Sequence, residues 1–96
     1  MARTRVLVVD DERDMLDVCS DVLGKLPDVD LQVETQGARA LERLGNETFD
    51  LLLTDVRMPR VGGLELGRAA RERDQQTAIL VFTAYPSVES AVEAMK

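Results

Sequence analysis

Two rhythms alternate along the chain. Val6-Leu7-Val8-Val9 is an unbroken β-branched and aliphatic run that stops at Asp10-Asp11, which predicts a central strand covered on both faces. From there the apolar positions are Met15, Cys19, Val22, Leu23 and Leu26, spaced to share one face of a helix that ends before Pro27. Leu31-Gln32-Val33-Glu34-Thr35 instead alternates apolar with polar, the mark of a short strand at a sheet edge with one face in water. Ala38, Leu41 and Leu44 give a second helix, followed by Gly45-Asn46, residue types that tolerate a left-handed C-terminal cap. Residues 49–53 form another buried-type strand ending at Thr54-Asp55. Met58-Pro59 and Gly62-Gly63 make the next stretch a loop, and Leu66, Ala69 and Ala70 place a helix from about Gly63 onward. Residues 78–82 are a further apolar strand ending in Thr83, and Pro86-Ser87 opens a last helix with Val88, Ala91, Val92 and Met95 on one side.

Four strand-helix alternations without a linker or repeat predict one α/β domain over residues 1–96, a parallel sheet with helices on both faces. In such sheets the ligand crevice lies beyond the carboxyl ends of the strands, where the strand order reverses, and a flavodoxin-like order puts that point between the first and third strands. Asp10-Asp11 and Asp55 end those two strands. With the alternating second strand at an edge, the order is 2-1-3-4, the three acids crowd together, and Thr83 comes alongside on the fourth strand.

Composition narrows the chemistry. With 45% hydrophobic and 31% charged residues, the 96-residue chain has the balance of a soluble globular domain. A net charge of -6 argues against a direct grip on nucleic acid or anionic lipid, both of which need clustered Lys and Arg. No apolar run approaches the roughly 20 residues of a membrane span, so the chain reads as cytoplasmic. It has no histidine and a single cysteine, Cys19, which removes disulfide frameworks, zinc sites and His-dependent catalysis. Cys19 sits on the apolar stripe of the first helix and reads as an inert, packed thiol.

Any metal must therefore be held by carboxylates. Three acids at close quarters repel one another unless a proton or a cation neutralises them. Oxygen ligands without His or Cys suit Mg²⁺, which commonly bridges one or two carboxylates to a phosphate. A carboxylate can also attack phosphorus to form an acyl phosphate, and Asp55 is the best placed to do so. Phosphoryl transfer asks mainly for positioning and charge neutralisation, to which a hydroxyl such as that of Thr83 can contribute. Taken singly, each feature has an ordinary structural role: Asp10-Asp11 as a helix cap, Glu12 and Asp14 as dipole-favoured neighbours, Asp55 as a loop acid, Thr83 as a plain strand residue. Their shared place at one end of adjacent strands is what favours chemistry.

Val-Val-Asp-Asp-Glu at 8–12, the stretch Asp55-Val-Arg-Met-Pro-Arg-Val-Gly-Gly63 and Val81-Phe-Thr-Ala84 together resemble the receiver domains of two-component response regulators over the whole chain. The resemblance implies that Asp55 accepts phosphate from the phosphohistidine of a sensor histidine kinase. It implies direct Mg²⁺ ligation by Asp11 and Asp55, with Asp10 acting largely through water and the Arg57 carbonyl completing the protein ligands. Thr83 would hydrogen-bond the phosphoryl group. The stretch 83–96 looks like receivers attached to AAA+ transcription activators, so the output lies outside this chain. Receivers are regulatory phosphoacceptors that promote only their own phosphorylation and dephosphorylation, rather than enzymes acting on other substrates.

The family continues into a fifth strand with a Lys-Pro pair and a fifth helix, both lacking here. Lys96 cannot replace that lysine, because its helix runs away from the crevice for about 15 Å. Without a fifth strand the fourth becomes an open apolar edge, so the expectation is a fragment of a longer protein, or a homodimer formed by edge association or domain swapping. The alternative function is a phosphorylation-independent interaction domain with the same fold. Dehalogenase-like phosphatases also use an Asp nucleophile with Mg²⁺, but they want a second Asp two places on, where Arg57 stands. A nucleotide-binding fold would need glycines after the first strand, where Asp10-Asp11-Glu12 would repel phosphate.

Overall fold

The computed structural model describes residues 3–82. The element order is β1 (Thr4–Val9), α1 (Arg13–Leu23), β2 (Val29–Glu34), α2 (Gly37–Asn46), β3 (Leu51–Asp55), α3 (Gly63–Arg73) and β4 (Ala78–Phe82). All strand pairs are parallel and the sheet order is β2-β1-β3-β4, the flavodoxin-like α/β arrangement read from the sequence. The helix expected after Pro86 lies outside the described residues, as do Thr83 and Lys96.

β1 is central because it can be buried from both sides. Leu7 and Val9 point into one core with Ala40 and Leu44 of α2, Phe49, Leu52, and Leu66 and Ala70 of α3. Val6 and Val8 face the other way, against Leu16 of α1. Alternate residues of a strand point to opposite faces, so an unbroken apolar run serves two cores at once. Burying each such side chain contributes roughly 1.5–3 kcal/mol. β2, with its polar alternation, is an edge strand, and Val33 on it remains 43% exposed.

Two local expectations are corrected. α1 stops at Leu23, where the Gly24 N–H donates to the Ser20 carbonyl. Its buried line therefore centres on Leu16, with Cys19 and Leu23 partly buried, while Val22 (62%) and Leu26 (51%) are exposed. Five apolar positions defined a broad face, and the sheet covers only one flank of it. Gly45-Asn46 does not form a left-handed cap: both belong to α2, Glu47 follows in extended conformation, and the Asn46 amide donates to the Glu42 carbonyl. Among the described residues the positive φ angles fall instead at Asp28 (62°) and Arg60 (69°). β4, by contrast, is the open apolar edge expected of it. It pairs only with β3 among the described strands, and Leu80 is 57% exposed.

Candidate metal and phosphoacceptor site

Parallel strands deliver their carboxyl ends to one rim of the sheet. Val9 of β1 is in register with Thr54 of β3, so the next residues, Asp10 and Asp55, emerge side by side. One carboxylate oxygen from each of Asp10, Asp11 and Asp55 lies within 4.8 Å of the others. Asp10 is 2% exposed and Asp55 9%, while Asp11 faces solvent. The three acids read from the sequence are thus brought together.

Hydrogen bonds fix their orientation. The Asp10 backbone N–H donates to the Glu34 carbonyl, extending the β1–β2 ladder by one residue. Its Oδ1 accepts the Glu12 N–H at 2.9 Å. Glu12 occupies the N-cap position of α1 but makes no side-chain cap bond, so the upstream acid is the one that meets a free amide. Asp55 Oδ1 accepts the Arg57 N–H at 3.2 Å. Thr54 beside it is fully buried, and its hydroxyl donates to the Asp55 carbonyl at 3.0 Å.

These few donors do not neutralise the cluster. Burial pushes the Asp10 carboxyl up to about 6; the Glu12 N–H works against that shift, and Asp55 and Asp11 add repulsion. Asp55 is likewise raised, first by burial and then by Asp11, with the Arg57 and Val56 amides opposing. Cys19, which also faces the field of Asp10, is held above its ordinary range chiefly by burial and stays a thiol. Three oxygen donors of unlike exposure and no nitrogen or sulfur ligand form a set suited to a hard divalent cation. The residues present fit such an ion, which could replace the missing counter-charge.

The segment from Val56 to Gly62 closes the site. Val56 N–H donates to the Phe82 carbonyl, Val61 N–H to the Pro59 carbonyl and Gly63 N–H to the Val56 carbonyl. Gly63 has no alternative: a Cβ there would overlap the Asp55 carbonyl oxygen and lie 3.0 Å from its carbon. Met58 and Val61 pack onto the main core. The sequence marks Met58-Pro59 as part of a loop and of the family motif, but that Met58 and Val61 anchor this loop from below emerges only from their packing. Arg57 is exposed, with its backbone next to Asp55.

The family model described as response regulator receiver domain matches residues 6–96. The response regulator protein PilR of Pseudomonas aeruginosa is 38% identical over 100 residues, an alignment covering the whole of this chain and 21% of PilR. The chain spans about a fifth or less of the length of the first curated relatives it matches. Among solved structures, a CheY-like receiver domain protein from Methanospirillum hungatei aligns with a TM-score of 0.85 and 26% identity, covering 98% of this chain and 74% of that one. The Thermotoga maritima response regulator TrrA, solved with Mg²⁺ and BeF, aligns with a TM-score of 0.77 and 29% identity, covering 95% of this chain and 81% of that one.

Proposed function

Since this chain belongs to the response regulator receiver domain family, we propose that it is a signalling phosphoacceptor whose Asp55 takes a phosphoryl group from a sensor histidine kinase in the cytoplasm. The observation that carries this reading is the gathering of Asp10, Asp11 and Asp55 oxygens within 4.8 Å at the ends of two adjacent strands. Asp11 and Asp55 would hold Mg²⁺ directly, Asp10 largely through water, and the Arg57 carbonyl would complete the protein ligands. The cation supplies positive charge that offsets both the acids and the oxygens of the incoming phosphoryl group.

The protein's own residues do the rest. An Asp55 carboxylate oxygen forms a bond to phosphorus as the P–N bond of the donor phosphoimidazole breaks, and the imidazole leaves with the electron pair. No proton has to be taken from Asp55, which reacts as the carboxylate. The Arg57 N–H donates to Oδ1 of Asp55, which fixes the orientation of the reacting carboxylate. Thr83 is assigned the hydrogen bond to the phosphoryl oxygens. The output controlled by this event lies outside the chain, and the resemblance of residues 83–96 favours an AAA+ transcription activator. A homodimer through the β4 edge belongs to the same reading.

Incubation with acetyl phosphate or a phosphorylated kinase tests it. Label should enter the parent protein in the presence of Mg²⁺, be lost with EDTA, and fall below detection in Asp55→Asn. Equal labelling of that variant would overturn the assignment. Absence of both labelling and Mg²⁺-induced shifts around Asp55 would favour the phosphorylation-independent interaction domain.

A further inference from the structure

We propose that Gly37, outside the acidic cluster, is a positioning residue for the cation site: its bare α-carbon lets the segment carrying Arg57 close down between α2 and Asp55. The inference rests on the phosphoacceptor reading above, because it concerns how the Mg²⁺ ligands are held.

Gly37 is the first residue of α2 and is buried. Glycine is a poor helix former, costing about 1 kcal/mol relative to alanine in a helix interior. Nothing at this end of α2 offsets that choice, since Gln36 makes no side-chain cap bond and the first turn carries no acid. The reason lies across the interface. A Cβ on Gly37 would overlap the Val61 carbonyl oxygen and sit 3.1 Å from both the carbonyl carbon and the Cβ of Val61. The obstacle is mainly backbone, so no rotamer change relieves it.

The loop cannot absorb such a push locally. Its two ends are tied to each other by the Gly63 N–H on the Val56 carbonyl, and Val56 is tied to β4 through Phe82. Val61 is bonded back to Pro59, and Arg60 between them already stands at φ 69°, a conformation that costs a non-glycine residue roughly 1 kcal/mol or more. Met58 and Val61 are held on the core from below. Nor can α2 retreat freely, because Ala40 and Leu44 are fully packed in that same core. Strain introduced at position 37 is therefore transmitted along the Val56–Val61 segment to Arg57, whose amide contacts Asp55 and whose carbonyl is assigned to the cation. Gly45 provides the internal contrast. It lies on the same helix with nothing within 4 Å of a built Cβ.

The test uses the 96-residue chain as the parent protein, Gly37→Ala and Gly45→Ala, titrated with Mg²⁺ alone and followed through the backbone amide shifts of Asp11, Asp55 and Arg57. Gly37→Ala should bind Mg²⁺ about tenfold more weakly, as is usual when a group supporting a ligand is displaced, and Gly45→Ala should match the parent. In the parent itself, Mg²⁺ should shift the Gly37 amide saturably and leave that of Gly45 unmoved, a readout that holds even if Gly37→Ala does not fold. A purely stabilising role would lower the melting temperature and leave the affinity of the folded protein unchanged. Folded Gly37→Ala binding within about twofold of the parent, or a Gly37 amide indifferent to Mg²⁺, overturns the inference. A parent protein that binds no Mg²⁺ overturns the phosphoacceptor reading itself and this inference with it.

Discussion

The two ends of the same sheet are built on opposite electrostatic plans. At the amino end Arg5, at the start of β1, donates to Glu47 at 2.8 Å and to the Thr48 carbonyl at 3.1 Å, and it pairs with Asp30 at 3.6 Å. Arg43 meets the other Glu47 oxygen at 3.3 Å, and both guanidinium groups lie over the Phe49 ring, at 4.7 and 5.7 Å from its centroid. Opposite charges alternate there, and each favours its neighbour's charged form: the Arg5 hydrogen bond holds Glu47 below the usual carboxylate range, and Arg5 is raised in return. At the carboxyl end three acids meet with no ion pair to any of them among the described residues, and Asp10 and Asp55 are both raised. One rim is satisfied by side chains of opposite charge, whereas the other leaves its acids uncompensated among the described residues. Local frustration of that kind marks functional sites, because the fold must be over-determined elsewhere to sustain it.

The largest stability effect should come from the satisfied end. Phe49 is 1% exposed, belongs to the main core and carries both cation–π contacts. Phe49→Ala should cost about 3–5 kcal/mol in denaturant unfolding, with the cluster at Asp10, Asp11 and Asp55 untouched. A loss below about 1 kcal/mol would mean that this rim does not anchor the sheet.

A smaller effect of opposite sign is expected at the frustrated end. The folded state holds the Asp10 proton up to about pH 6, and the unfolded chain releases it near pH 4. Between those values the folded protein binds more protons, so without metal its stability falls as pH rises through the window and is greatest at the acid side. Glu47 has the reverse sign, adding stability above its unfolded value that disappears as pH falls through its lowered folded one. Metal-free protein should thus be most stable near about pH 5. Asp10→Asn keeps an acceptor for the Glu12 N–H and removes the charge. It should be more stable than the parent by roughly 2 kcal/mol at pH 7.5, with the gap closing toward pH 4. A variant less stable than the parent at pH 7.5 would show that the acids are not in conflict.

Much of this contrast can be read in the sequence, and the division follows physical lines. Strand identity and order were legible because Val6-Leu7-Val8-Val9 can be buried only between two layers, while the polar alternation of β2 suits only an edge. The acidic cluster was legible for the same reason, since parallel strands in register bring the residues that follow them to one rim. The end and rotational phase of α1 were not, because Val18, Val22 and Leu26 are as apolar as Leu16 and only packing against β1 and β2 selects among them. The amino-end cluster was invisible too. Arg43 and Glu47 stand four residues apart, but Arg5 and Asp30 are distant from them in the chain, and all four look like ordinary surface charges until the strands are paired. Gly37 likewise reads as a mere break before a helix, and its role rests on a neighbour, Val61, across an interface.

Thermal melting at neutral pH as a function of Mg²⁺ concentration tests most directly whether the crowded acids await a counter-ion. The melting temperature of the parent protein should climb and follow the binding isotherm, with about 2.7 kcal/mol gained at one hundred times the dissociation constant. Asp11→Asn and Asp55→Asn should lose most of that gain while starting from a metal-free stability at least equal to the parent's. A melting temperature indifferent to Mg²⁺, or one that rises equally in all three proteins, would contradict a cation site built from Asp10, Asp11 and Asp55.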